Sequence, residues 1–290
     1  MDVYLFPGQG SQVKGMGKNV FNDYSEYIEQ ANQILGYDVK DLCLNDPKNQ
    51  LGHMEYAQPA LYVVSSLSYL KLLGDVGIPN YLAGHSLGEY SALFAAGCFD
   101  FATGLRLVAK RGELMGLTKN GGMLTIMGLH IDEVRELLMS YQLDEVDIAN
   151  HNTPDQVVIS GLLADMQKAS AIFSKRARLC IPLHSSGAFH SRHMVLAKLR
   201  FALHIKAISF QEPKIKVIAN LDGKPYETHK IANNLINQMT GSICWVKSMC
   251  YLIDQGVIGF RQVAPGNSLM AMVRRVQREY PSPLALLPVI

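Results

Sequence analysis

A serine becomes a nucleophile when the chain exposes its hydroxyl and a base takes its proton. The run Gly84-His85-Ser86-Leu87-Gly88 is built for the first of these tasks. It is entered from the apolar stretch Ile78-Pro79-Asn80-Tyr81-Leu82-Ala83 and left through a helix-like segment. A strand that turns this sharply into a helix needs Gly84 and Gly88, whose missing Cβ atoms permit the turn and the close strand–helix approach. Ser86 then sits at the apex, beside a helix N-terminus whose backbone N–H groups favour developing negative charge. Nine histidines could supply the base. His85 is adjacent to Ser86, but neighbouring side chains in an extended turn point apart, so it is expected to pack behind the elbow. His190 lies in Ser185-Ser186-Gly187-Ala188-Phe189-His190-Ser191, a small-residue crossing between two parts of the chain, where ligand clefts concentrate. His193 is three residues further on, and spacing alone does not separate the two.

Other chemistries are excluded by spacing. Gly8 and Gly10 occupy the first two positions of a dinucleotide-binding GxGxxG, but the third falls on Val13. Neither a Walker A run nor His-Glu-x-x-His occurs, and the five cysteines are odd in number and lack CxxC spacing. No metal, zinc site or disulfide framework is expected. With 27 basic against 25 acidic residues, no global field calls for nucleic acid. The N-terminus has Asp2 where a signal peptide needs basic residues, and the longest nearly apolar stretch, Pro59 to Leu70, carries three serines. These features imply no membrane and a cytoplasmic default.

The elements that must position the serine alternate between strand and helix. A short buried strand, Val3–Phe6, ends in the turn-rich Pro7-Gly8-Gln9-Gly10-Ser11-Gln12. Helical patterns follow over Ser25–Leu35, Ala57–Leu73, Leu87–Ala96 and Phe101–Met115, with strand Tyr81–Ala83 between the second and third. Such alternation implies a largely parallel sheet covered by helices. From Gly121 the order becomes βαββαβ, the split-βαβ unit of ferredoxin-like domains. At 290 residues the chain fits one large α/β domain with a small insertion. We therefore expect an α/β-hydrolase-like large domain at residues 1–120 and 186–290, with a ferredoxin-like subdomain at 121–185. After it come helix Met194–Leu203, strand Ile215–Ala219, helices Ile231–Met239 and Val246–Gln255, strand Ile258–Val263 and a last helix.

At this point the motifs resemble a family. Phe6-Pro7-Gly8-Gln9-Gly10-Ser11-Gln12, the Ser86 elbow with Glu89-Tyr90, Arg111-Gly112 and Gly187-Ala188-Phe189-His190-Ser191 look like the malonyl-CoA:acyl carrier protein transacylases, including the acyltransferases of polyketide synthases. The match runs in order along nearly the whole chain, through Trp245-Val246-Lys247-Ser248 and Pro265-Gly266-Asn267. It implies a free-standing acyltransferase that serves a carrier protein in trans.

The resemblance implies the following roles. Ser86 attacks the thioester of malonyl-CoA with His190 as base, and the phosphopantetheine thiol of an acyl carrier protein then takes the malonyl group from serine. Backbone N–H groups of Leu87 and Gln9 form the oxyanion hole, each such donor being worth about 3–4 kcal/mol of transition-state stabilisation. Arg111 clamps the free malonate carboxylate, for which a guanidinium fork is suited. Phe189 fills the space that a methylmalonyl branch would need, so malonyl is expected over methylmalonyl. Asn152 falls where the family has an asparagine near the site, and an Asn-Thr-Pro turn explains it equally well. Cys244 stands where the family often has Gln or Arg before the tryptophan, and its main-chain carbonyl is expected to orient the base. No acidic third member is evident, so Ser86 and His190 read as a dyad.

No permanently bound cofactor follows from this reading; coenzyme A enters as substrate thioester. The partner is an acidic carrier protein, with Lys175-Arg176-Ala177-Arg178 and Arg274-Arg275-Val276-Gln277-Arg278 as candidate docking surfaces. Nothing signals an oligomer, so a monomer is expected. The alternative is an acyl hydrolase on the same scaffold that strips acyl groups from carrier proteins. The pathway, fatty acid or polyketide, is left open by the sequence.

Overall fold

The structure, a computed structural model, describes residues 1–183 and 187–280. The chain opens with strand β1 (Asp2–Phe6), followed by helices α1 (Ser25–Leu35), α2 (Val39–Asn45) and α3 (Met54–Asp75). Strand β2 (Tyr81–Gly84) then leads into α4 (Gly88–Ala95) and α5 (Phe101–Gly116). The middle section is β3 (Gly121–Met127), α6 (Ile131–Ser140), β4 (Asp147–Thr153), β5 (Gln156–Leu162), α7 (Leu163–Phe173) and β6 (Leu179–Pro182). The chain returns through α8 (Val195–Ile205), β7 (Lys216–Ile218), α9 (Ile231–Gln238), α10 (Trp245–Asp254), β8 (Gly259–Gln262) and α11 (Ser268–Glu279).

Two sheets result, one parallel and one antiparallel. The parallel sheet has the order β7-β2-β1-β8. Side chains alternate across a strand, and β1 shows what that does here. Tyr4 and Phe6 enter the larger core among α1, α3, α4 and α5, whereas Val3 and Leu5 enter a second core against Trp245, Met249, Leu269 and Val273. Both faces are therefore covered by helices, which explains why β1 and β2 read as apolar runs. Each fully buried Val, Leu or Phe contributes about 1.5–3 kcal/mol.

The second sheet has the order β4-β5-β3-β6, with every neighbouring pair antiparallel. This is the strand order of the split-βαβ unit. Leu124 and Ile126 of β3 pack with Val134 and Leu138 of α6 and Phe173 of α7. Met123 of the same strand points the other way, into the larger core. The small sheet is thereby seated on the large one. Its expected limit at 185/186 lies outside the described residues.

Most predicted helices and strands match to within a few residues at their ends. The exception is α2, seven residues whose start is set by Asp38 accepting from the Asp41 N–H at 3.0 Å. Among the described residues no helix is long and apolar enough to cross a membrane.

Candidate active site

The elbow forms because β2 ends one residue before a forced left-handed turn. A Cβ on Gly84 would overlap the Gly88 carbonyl group, and one on Gly88 would overlap the Phe6 carbonyl. Ser86 itself has φ +52°, a conformation that side chains rarely adopt. His190 is also left-handed, at φ +58°. Such strain persists where surrounding contacts hold it, and it clusters at functional sites.

Ser86 Oγ lies 2.8 Å from His190 Nε2, and His190 Nδ1 lies 2.8 Å from the Gln238 carbonyl oxygen. A carbonyl can only accept, so Nδ1 carries the proton. Nε2 then presents its lone pair to the serine hydroxyl, which donates to it. Here the structure corrects an expectation. The carbonyl that orients the base belongs to Gln238, not Cys244, whose own carbonyl accepts from the N–H and hydroxyl of Ser248 at the start of α10. Burial first, and the Arg111 charge second, push the His190 pKa down from its ordinary value to about 3. His193 is elsewhere, with its Nε2 2.8 Å from the Glu145 carbonyl.

Arg111 comes from the middle of α5 and is 1 % exposed. Its Nη1 donates to Gln58 Oε1 at 2.8 Å, and its Nη2 donates to Gln238 Oε1 at 3.0 Å and to Ser86 Oγ at 3.1 Å. The Tyr90 ring lies 5.6 Å from the guanidinium carbon, and Nε has no hydrogen-bond partner among the described residues. Its donors thus meet neutral amides and the Ser86 hydroxyl. Among the described residues no carboxylate hydrogen-bonds to it, the Glu89 charge acting from behind the Gln238 amide, so a direct anionic partner has to come from the cleft.

Beneath the elbow is a network that the motifs did not reveal. Asn220 Oδ1 accepts the Ser86 N–H at 2.7 Å, and Asn220 Nδ2 donates to the Gly84 carbonyl at 2.6 Å. Gln238 Nε2 donates to the Ser86 carbonyl at 2.9 Å and also to Glu89 Oε2. Glu89 Oε1 accepts the Asn220 N–H at 2.7 Å. Gln58, Asn220 and Gln238 sit far apart in the sequence, and the one available signal was Glu89, an acid on the first turn of an otherwise apolar helix.

The Ser86 N–H is thus spent, while those of Leu87 and Gln9 donate to no acceptor among the described residues. Gln9 and Ser86 share a cleft of about 360 Å³ with His85, Arg111, Met123, Asn150, Phe189 and His190. Phe189 is 4 % exposed and forms part of that wall as well as the core. Asn152 does not reach Ser86 but lies 2.9 Å from His85 Nε2. His85 leans edge-on against Trp245, as an elbow-backing residue should, yet it also lines the cleft. Burial lowers its pKa, which keeps it neutral.

Of the arginines expected to dock a partner, Arg275 is spent within the protein. It donates to both carboxylate oxygens of Asp155 at 3.0 Å and pairs with Glu279 at 2.7 Å. Arg178 reaches the same Asp155 at 4.0 Å, whereas Arg274 and Arg278 are exposed.

A strained serine, a histidine oriented by a carbonyl and two N–H groups left open over a cleft are the parts that acyl transfer through a serine hydroxyl requires. Residues 3–243 match the family described as acyl transferase domain, and the chain belongs to it. Among its relatives is the polyketide biosynthesis malonyl CoA-acyl carrier protein transacylase PksC of Bacillus subtilis (strain 168). That protein is 47 % identical over 282 residues, covering 96 % of this chain and 98 % of the relative. The crystal structure of malonyl CoA-acyl carrier protein transacylase from Burkholderia pseudomallei superposes with a TM-score of 0.93 at 40 % identity, covering 97 % of this chain and 99 % of that one. A malonyl-transacylase in complex with its type II polyketide synthase acyl-carrier protein gives 0.90 at 30 % identity, covering 96 % and 93 %.

Proposed function

We propose that the protein transfers a malonyl group from malonyl-CoA to the phosphopantetheine thiol of an acyl carrier protein, through a malonyl ester on Ser86. The observation that carries this reading is Arg111. It is buried, held by neutral partners and 3.1 Å from the nucleophile, so an acyl group bearing a carboxylate completes the site. The names of the relatives support the same substrates.

In the first half-reaction Ser86 Oγ passes its proton to His190 Nε2 and bonds to the thioester carbon. The N–H groups of Leu87 and Gln9 stabilise the oxyanion. Collapse breaks the carbon–sulfur bond, and the coenzyme A thiolate leaves with the proton from His190. In the second half the carrier thiol gives its proton to His190, attacks the ester, and the Ser86 oxygen recovers a proton as the C–O bond breaks. Arg111 adds to burial in lowering His190 basicity in the empty site, so a bound malonate offsets the Arg111 share of that depression. The division into a catalytic part at 1–120 and 186–290 and an insert at 121–185 fits this scheme, because the insert closes one side of the cleft.

The test is the mass shift on Ser86 after exposure to malonyl-, methylmalonyl- and acetyl-CoA, followed by decay of the adduct with and without holo carrier protein. Malonyl addition that persists until carrier is supplied is expected. Equal labelling by all three thioesters overturns the Arg111 and Phe189 roles, and rapid decay without carrier overturns transfer in favour of hydrolysis.

A further inference from the structure

The buried network beneath the elbow contains an acid that the proposed chemistry does not use. Glu89 is 1 % exposed, on the first turn of α4 and three residues from the nucleophile. It accepts from the Asn220 N–H and from Gln238 Nε2, and the Tyr226 hydroxyl faces it. Among the described residues the cation facing it is Arg111, and the two do not touch. The Gln238 amide stands between them, donating to Glu89 through Nε2 and accepting from Arg111 Nη2 through Oε1. Tyr90, next to Glu89 on the same helix, lies under the guanidinium, and His190 is the other titratable group beside it.

Resting on the reading that Arg111 receives the substrate carboxylate, we propose that Glu89 is a positioning residue that supplies the counter-charge of Arg111 in the empty enzyme and takes up one proton when that carboxylate arrives. Ligand charge and proton are then exchanged across a single amide.

The argument is a balance of buried charge. Empty, the cluster holds one guanidinium and one carboxylate, each 1 % exposed. A malonate on Arg111 would add a second carboxylate against one cation. Two carboxylates sharing a dry site do not both stay ionised. The substrate carboxylate has the bidentate partner, so Glu89 is the one that protonates. Burial already brings its pKa up to about 7, within reach of such a change. The new O–H needs an acceptor, and the Tyr226 hydroxyl, unlike the two N–H donors, can reverse and accept. No bond other than the O–H is made, and the proton comes from solvent.

The experiment uses Ser86→Ala, which binds thioester without acylation, titrated calorimetrically with malonyl-CoA and acetyl-CoA at pH 8 in two buffers of different ionisation enthalpy. The coenzyme A phosphates titrate equally in both ligands and cancel. Malonyl-CoA is expected to take up close to one proton more than acetyl-CoA, and the added change Glu89→Gln is expected to abolish the difference. A merely structural Glu89 would alter affinity and leave the proton count alone. An equal count for the two thioesters, or a difference that survives Glu89→Gln and so belongs to His190, overturns the proposal. Should the double variant not fold, a pH series on Ser86→Ala decides. Affinity for malonyl-CoA relative to acetyl-CoA should fall about tenfold per pH unit above 7, as linkage of one proton requires, and a ratio independent of pH overturns the idea. Binding of acetyl-CoA with no binding of malonyl-CoA would instead remove the carboxylate reading on which it rests.

Discussion

The two sheets of this protein face the same cleft but contribute to it differently. The parallel sheet delivers the groups that the proposed chemistry uses. Ser86 leaves the end of β2, Gln9 follows the end of β1, and Asn220 follows β7. Strands that run the same way bring their carboxyl ends to one edge, where helix N-termini and loops converge. The antiparallel sheet delivers a wall. Met123 of β3 and Asn150 of β4 line the cleft, and Asn152 holds His85 without touching Ser86. In the proposed scheme, chemistry thus falls to the sheet whose topology concentrates strand ends, and shape to the sheet whose strands point in alternate directions.

That contrast sets an order of expected effects. Ser86→Ala, on the parallel-sheet side, should abolish the acyl-enzyme mass shift and lower transfer by on the order of 10⁵–10⁶-fold, as loss of a nucleophile does elsewhere. Retained transfer would move the chemistry away from the elbow. Arg111→Ala should cost malonyl transfer about 3 kcal/mol, roughly a hundredfold, while sparing or improving acetyl transfer. Acylation rates with the two thioesters check this. The base gives a third expectation. Because the native His190 has a pKa of about 3, kcat/KM for acylation should not halve as pH falls through 6.5, as it would with an ordinary imidazole base. The same depression acts on stability with a definite sign. Below 6.5 the unfolded chain binds a proton that the native state refuses, so the His190 contribution is intact above 6.5 and is lost as pH falls toward 3. Melting temperatures of wild type and His190→Gln between pH 7 and pH 4 measure it, the variant losing less. On the antiparallel side, Asn152→Ala removes one neutral hydrogen bond worth about 1 kcal/mol and should raise KM a few-fold with kcat little changed. A large fall in kcat there would erase the division between wall and machinery.

What the sequence disclosed and what it withheld follow the same division. The elbow was legible because Gly84, Ser86 and Gly88 are constrained by neighbours close in the chain. The βαββαβ order was legible because strand and helix periods are local too. Helix α2 was not, since seven residues carry too little periodicity and its one signal is the cap at Asp38. Gln58, Asn220 and Gln238 were invisible because a neutral amide has no motif of its own, and their importance arises only where folding brings them to Arg111 and Ser86. Cys244 drew attention through its place before Trp245, yet backbone carbonyls are interchangeable in sequence, and only geometry selects the one at Gln238. Arg275 read as a free docking charge until the turn between β4 and β5 brought Asp155 to it.

Trp245 is the chain's one tryptophan. Its indole is fully buried, 5.4 Å from the imidazole of His85. The residue beside Ser86 is therefore in contact with the protein's dominant fluorophore. Intrinsic emission should change as the cleft fills and empties, so the arrival of thioester and the departure of the acyl group can be timed optically in the unlabelled enzyme.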